Sequence, residues 1–243
     1  MIKNICLFIS LLIVFAAKAQ AQQVTDGQQM LQKITGSDFK IYYQQYDGNP
    51  YYSSHWANAS VKLVSGEVYS GLLVKIDIYN DQLISYNKRL NKQITVDKSI
   101  IDEIYLYNTN GGQTHLIKNV FNTNVFDTNA VPQTTANFYF VLLNDSISVW
   151  RSSKKLIEKY SSLSNKPNMI GRFYTKSRYY YVKNGNLHSI PVSKKKLAKE
   201  FANNKKEIMH FINKNRYKPK NETDIIAIFK YINELIKGGE ANK

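Results

Sequence analysis

Period-two alternation of apolar residues is the feature that most restricts the fold of this sequence. Between 72 and 79 every second residue is apolar, and these residues are Leu72, Val74, Ile76 and Ile78. An extended chain with one apolar side and one mixed side is typical of a strand that covers a core. Further strands are predicted at 83–86, 93–96 and 101–107, joined by short polar turns. Strands this closely spaced predict an antiparallel β-meander.

The chain after residue 150 combines strand and helix patterns. A helix is predicted from Ser152 or Ser153 through Tyr160, because Leu156 and Tyr160 are four residues apart. Asn184-Gly185 between two aromatic-rich and apolar segments predicts a β-hairpin.

Three helical segments are predicted after this hairpin. The first begins at the capping residue Ser193, and the second covers 205–215. The third begins at Thr223 as its cap and ends at Gly238-Gly239. Its apolar stripe consists of Ile225, Ile228, Phe229, Ile232, Leu235 and Ile236.

These patterns predict an α+β fold. An antiparallel β-meander, forming a half-barrel or a sandwich, is followed by a β-hairpin and two or three C-terminal helices. We divide the chain into a signal peptide at 1–21, a β-rich domain at 22–150 and a basic hairpin-plus-helices region at 151–243.

Residues 1–21 have the parts of a cleavable secretory signal peptide. Lys3 precedes an apolar stretch at 5–17, and small residues flank two cleavage positions, after Ala19 and after Ala21. The alternative is an uncleaved anchor, but a membrane-spanning helix needs about 20 apolar residues. We expect an exported protein, periplasmic or secreted, without a transmembrane segment after cleavage. Cys6, the single cysteine, lies inside the signal, so the mature chain has no thiol chemistry.

Positive charge is concentrated in one block. The formal net charge is +15. Residues 22–150 hold nine lysines and arginines against eleven acids, whereas residues 151–220 hold nineteen against three. Such asymmetry indicates a local electrostatic role.

The strongest candidate binding feature is the predicted strand at 172–183. Alternation places cations and aromatic rings on one side of it, namely Arg172, Tyr174, Lys176, Arg178 and Tyr180. Cations attract phosphates or carboxylates, and rings stack on sugars or bases. The simpler interpretation is an exposed strand whose cations prevent edge-to-edge aggregation.

A second candidate is the lysine group at the start of the helix after Ser193. It consists of Lys194, Lys195, Lys196 and Lys199. The first helical turn favours acids, so these lysines suggest a phosphate- or lipid-headgroup-binding patch. The alternative is a solvated face that promotes solubility.

Catalytic and metal chemistry have weaker support in the sequence. The four histidines, His55, His115, His188 and His210, have no metal-ligand spacing, and no cofactor is predicted. Asp77, Asp81, Asp102 and Glu103 are the candidate acid groups, but nothing in their spacing places two across a cleft. The aromatic segment at 42–56 is interpreted as buried rather than as a carbohydrate platform.

Several short motifs are the basis of a resemblance to a known family. They include Asn49-Pro50-Tyr51-Tyr52, Gly66-Glu67-Val68-Tyr69, Ser193-Lys194-Lys195-Lys196-Leu197 and Tyr231-Ile232-Asn233. On these motifs the chain resembles a family of uncharacterised exported proteins common in Bacteroidetes. The resemblance covers most of 46–237. It implies an envelope or secreted setting and carries no known activity or functional residue.

Three functions fit these observations. The first is a non-enzymatic envelope protein with a basic face for an anionic partner, either an envelope polymer or another protein. The second is an enzyme acting on envelope glycans, and the third is a structural accessory protein without a ligand. Nucleic acid fits the charge but does not fit an exported protein.

Overall fold

The computed structural model describes residues 24–27, 30–31, 45–107, 114–119, 138–160 and 169–240. The predicted signal peptide lies outside these residues, as does most of 108–134. Twelve strands are described: β1 (Val24–Asp26), β2 (Tyr46–Asp47), β3 (Ala57–Leu63), β4 (Val68–Asp77), β5 (Gln82–Asn87), β6 (Lys92–Val96), β7 (Ile101–Tyr107), β8 (Thr114–Asn119), β9 (Phe138–Leu143), β10 (Ser148–Lys159), β11 (Gly171–Lys183) and β12 (Asn186–Ser189).

The strands form one open, mixed sheet. Its order is β12-β11-β10-β9-β8-β7-β3-β4-β5-β6. The pairs along this order are antiparallel, whereas β1 pairs with β4 and β2 pairs with β11 in parallel. The predicted α+β fold with a β-rich first part is confirmed.

The meander forms around the alternating residues of β4. Leu72, Val74 and Ile76 are buried in one apolar cluster with residues from β3, β5, β6 and β7. After β6 the chain returns across a short 3-10 helix, Lys98–Ile100, and β7 pairs with the free side of β3. This return makes β3 a central strand.

The predicted helix at 152–160 is wrong, because this segment belongs to β10. Twelve consecutive residues of β10 pair with β11, from Ser148 opposite Val182 to Lys159 opposite Gly171. A weak local helix pattern is overridden by this long tertiary pairing. β10 also pairs with β9, so the sheet is continuous across residue 150, where we had placed a domain boundary.

Three α-helices are described after the hairpin. They are α1 (Lys194–Glu200), α2 (Lys205–Lys214) and α3 (Glu222–Glu240), with a 3-10 turn at Ala202–Asn204 between α1 and α2. Ser193 caps α1 as predicted, since its side chain accepts a bond from the Lys196 amide. The expected cap of α3, Thr223, lies inside the helix, which starts one residue earlier and includes Gly238.

The helices cover one face of the hairpin and leave the other to a separate cluster. Tyr181 and Ile190 pack with Leu197, Ile228 and other apolar residues of the helices. The adjacent Tyr180 points to the opposite face, where it packs with Tyr139, Trp150 and Leu187. No helix among the described residues is long and apolar enough to cross a membrane.

A short segment, 45–52, connects the two parts of the sheet. Tyr46 and Asp47 pair with Gly171 and Arg172 at the start of β11. Farther along, the Ile78 amide donates to the Pro50 carbonyl, and the Tyr52 amide donates to the Ile76 carbonyl. We call this segment the seam, because it joins the end of β4 to the start of β11.

Candidate functional site

The middle of β11 is exposed over five consecutive residues. Residues 174–178 are all exposed, although a strand with one buried face would alternate. Strand β2 pairs with β11 only at 171–172, and β12 pairs with it only at 180–183. Between these two partners β11 therefore has an outer edge without a neighbouring strand among the described residues. We call residues 174–178 the open edge.

Three predicted binding residues lie on this open edge, all on one side of the strand. Tyr174 is 42% exposed and lies opposite Leu156. Lys176 lies opposite Lys154, and Arg178 lies opposite Ser152. Tyr174, Lys176 and Arg178 therefore bring one ring and two cations to the same side of the open edge.

Tyr180 is not available to a ligand, contrary to our prediction. It is 1% exposed, and its ring lies 5.5 Å from that of Tyr139. Burial raises the pKa of Tyr180, and a hydrogen bond from Arg178 opposes that rise. Alternation correctly placed Tyr180 on the side of Arg178, but it could not show that the strand enters the core at this point.

Arg172 lies at the far end of this side and is already paired. Its Nε lies 2.7 Å from a carboxylate oxygen of Glu158, the residue directly opposite on β10. Both side chains are more than half exposed, so the pair is worth little for stability. Arg172 is consequently less available to an anion than Lys176 or Arg178.

The predicted lysine group lies on the helix-covered side of the hairpin. Lys195, Lys196 and Lys199 are exposed on α1, whereas Lys194 is half-buried and donates to Asn213 Oδ1 over 3.3 Å. Helix α2 adds the exposed residues Lys205, Lys206 and Lys214. We call these six exposed residues, Lys195, Lys196, Lys199, Lys205, Lys206 and Lys214, the lysine surface.

The nine predicted residues therefore form two groups rather than one face. Helix α1 packs on the side of β11 that carries Tyr181, while Lys176 and Arg178 project from the other side. The structure brings Tyr174, Lys176 and Arg178 together with Lys154, and it separates them from the lysine surface. Lys154 was missed because 152–160 was interpreted as helix.

Three cations of the meander form ion pairs with acids. Lys62 pairs with Asp102 and Lys98 with Asp81, each at 2.8 Å. Lys118 pairs with Glu103, and burial lowers the pKa of the Lys118 ammonium. By contrast, within the described part of the chain no lysine of the lysine surface forms an ion pair.

The candidate acid groups have structural contacts. Asp77 is fully buried and accepts bonds from the amides of Tyr79 and Asn80 and from the Asn80 side chain, each at 2.9 Å. Burial raises the pKa of Asp77 in spite of these bonds. Asp81, Asp102 and Glu103 form the ion pairs described above. All four groups thus hold a turn or a strand pair.

The histidines are dispersed over the molecule. His188 stacks on Tyr181 with ring centroids 4.9 Å apart, and His55 contacts the Ser54 hydroxyl. His115 is half-buried on β8, and His210 is exposed on α2. Within the described ranges, no group of three or more His, Cys, Asp or Glu side chains could hold a metal ion.

The described aromatic residues of 42–56 pack against the sheet. Tyr51 is buried, and the Tyr52 ring lies 4.1 Å from that of Phe140. Lys75 Nζ lies over the Tyr51 and Trp56 rings, at 4.8 and 5.0 Å from their centroids. These rings close one end of the sheet, and Tyr42 and Tyr43 lie outside the described residues.

A cleft of mixed polarity that sequence reasoning missed lies beside the hairpin turn. It has a volume of about 480 Å³, and its lining combines polar residues such as Lys183, Asn184 and Glu200 with apolar ones such as Ile147, Phe201 and Ile236. The Tyr181 hydroxyl donates to Glu200 over 3.4 Å, and burial with the nearby carboxylate raises the pKa of Tyr181 to about 12. The residues that line this cleft come from distant segments of the chain, so no local sequence pattern predicts it.

Comparisons with known proteins give no further guide to the site. No family model, no curated protein and no solved structure matches this chain. The functional argument therefore rests on the geometry and charge of the described residues.

Proposed function

We propose that this protein is an exported, non-enzymatic binding protein of the cell envelope that attaches to an anionic partner. The binding groups are the cations of the second part of the chain. They include the lysine surface and, on the opposite side of the hairpin, Lys154, Lys176 and Arg178.

The observation that carries the proposal is uncompensated positive charge. Residues 194–220 hold ten lysines and arginines against two glutamates. No ion pair involving these residues is formed within the described part of the chain, whereas the meander pairs Lys62, Lys98 and Lys118 with acids. A surface without internal counter-charges attracts anions at long range, and salt weakens this attraction.

The position of the lysines in α1 supports the same conclusion. Lys194, Lys195 and Lys196 occupy the first turn, where partial positive charge of the helix makes each cation unfavourable by about 0.3–1 kcal/mol. This arrangement opposes folding stability, and it becomes favourable when an anion is bound.

The test is binding of the chain without residues 1–21 to immobilised anionic polymers, at about 50 mM and about 500 mM salt. One set should carry an acidic polysaccharide and another polyglutamate. We expect retention that falls at least about tenfold at the higher salt.

Two charge-loss variants locate the binding surface. Replacing Lys195, Lys196 and Lys199 with glutamine should weaken retention. The matched control replaces three exposed cations of the meander, Lys88, Arg89 and Lys92, and should leave retention within about twofold. Retention that is insensitive to salt, or equal losses in both variants, would contradict the proposal.

A further inference from the structure

The open edge has main-chain groups directed away from the sheet. The Tyr179 carbonyl points outward, since it accepts the Ile190 amide on the side of β12. Amide and carbonyl groups of alternate residues in a strand point the same way, so those of Ser177 and Thr175 also point outward. Neither Ser177 nor Thr175 has a main-chain partner on that side among the described residues.

The open edge also has defined ends. β2 pairs with β11 up to Arg172, and β12 pairs with it from Tyr180 onward. Between them lies a gap of about five to seven residues, which is the length of an ordinary strand. Both faces of residues 174–178 are exposed, and no strand of the described ranges occupies this position.

We propose that the open edge accepts an extended acidic segment of a partner protein, which adds as a strand between β2 and β12. This inference rests on the proposed binding function, because it uses the same cations Lys176 and Arg178. It goes further in assigning the partner as a polypeptide and the contact as main-chain pairing.

Charge complementarity predicts the side-chain pattern of the bound segment. In an added strand, residues opposite Lys176 and Arg178 lie on one side and are two positions apart. Acidic residues at these positions form opposite-charge pairs with Lys176 and Arg178. Residues facing Thr175 and Ser177 lie on the other side, where threonine or valine fits a ladder of small hydroxyl residues.

The cations also disfavour pairing of the open edge with a second copy of itself. Two antiparallel copies of β11 would bring lysines and arginines into opposition, and charged edges resist such association. An acidic strand removes this barrier, so the same residues exclude one kind of partner and select another.

The experiment measures binding of a blocked peptide of about seven residues, in which glutamate alternates with threonine or valine. The matched probe has the same side chains but is N-methylated on alternate amides that would face β11. It keeps the charge and loses about two hydrogen bonds, so we expect affinity at least about tenfold weaker. Binding of the unmethylated peptide should also slow hydrogen exchange at the Thr175 and Ser177 amides.

Two protein variants complete the test. Ser177→Pro removes one outward donor at an edge position that tolerates proline, and it should weaken the unmethylated peptide without changing polyanion retention. Lys176→Gln with Arg178→Gln should weaken binding of the acidic peptide, while Lys88→Gln with Arg89→Gln, at exposed positions of the meander, should leave its affinity within about twofold.

The outcomes separate this inference from the proposed function. If both peptides bind equally, strand addition is wrong, although electrostatic binding remains. If the anionic polysaccharide binds and neither peptide does, the partner is not a polypeptide at this edge. If no anionic probe binds, the proposed function itself is overturned.

Discussion

Asn233 holds helix α3 to the sheet and provides the sharpest test of the fold. Its side chain is 1% exposed and contacts both main-chain groups of Ile147, on the strand side of the interface. The Asn233 Oδ1 accepts the Ile147 amide at 2.8 Å, and Nδ2 donates to the Ile147 carbonyl at 3.0 Å. A third bond joins Nδ2 to the Phe229 carbonyl at 2.9 Å.

Asn233→Ala should lower the free energy of unfolding by about 2–5 kcal/mol. Two buried main-chain groups of Ile147 would lose their partner, at about 1–3 kcal/mol each. The higher helix propensity of alanine returns only about 0.5 kcal/mol.

Urea denaturation, followed by tryptophan fluorescence, measures this change. With a slope of about 2–3 kcal/mol per molar urea, the midpoint should fall by about 1–2 M at an unchanged slope. The neighbouring Glu234→Ala, at an exposed position of the same helix, should change stability by less than about 0.5 kcal/mol. A loss below about 1 kcal/mol for Asn233→Ala would refute the reasoning, because it would mean that the Ile147 groups find other partners.

Three further predictions concern charge, pH and the hairpin turn. Lys176→Glu reverses a charge at the centre of the open edge, so it should weaken retention on the anionic polymers at about 50 mM salt by at least about twofold; unchanged retention would contradict the assigned role of Lys176. The pKa of Tyr181 is raised to about 12 in the folded protein, so folding favours the neutral phenol. The contribution of Tyr181 to the free energy of unfolding should therefore be complete below about pH 10 and should be lost as the pH rises toward 12. Urea midpoints of the wild type and Tyr181→Phe between those pH values should show the wild type falling more steeply. Gly185→Ala should cost about 1–2 kcal/mol in urea denaturation, because Gly185 has φ +77°, whereas Gly238→Ala, within α3 and with open space around it, should not destabilise.

Much of the fold could be predicted from the sequence because its signals are local. The alternation around Val74 and Ile76 gave the core side of β4 correctly. The Asn184-Gly185 turn was also predicted correctly, since both residues have positive φ angles. The stripe of α3 is buried at Ile225, Ile228, Phe229 and Ile232.

Other parts depend on pairing between distant segments and have no local signal. Ser152 and Ser153 resemble helix caps, and only the complete ladder with β11 shows that they belong to a strand. The pairing of β7 with β3 likewise depends on tertiary contacts rather than on a local sequence pattern.

The candidate site was predicted only in part for the same reason. Composition located the basic block, and alternation placed Lys176 and Arg178 together. Neither property could show that Tyr180 is buried, that Lys154 joins the group, or that α1 lies on the opposite side. Exposure along a strand depends on where its neighbours end, and those ends are set by β2 and β12.

The seam has a consequence for how the chain reaches its final form. Tyr46 in the seam and its partner Gly171 in β11 are more than a hundred residues apart in the sequence. They can therefore pair only after nearly all of the intervening chain has been made. Contacts between such remote positions form slowly, since closing a long loop must precede any gain from pairing. The meander can therefore assemble early from neighbouring hairpins, and closure at 45–52 should be the slow, late event of folding.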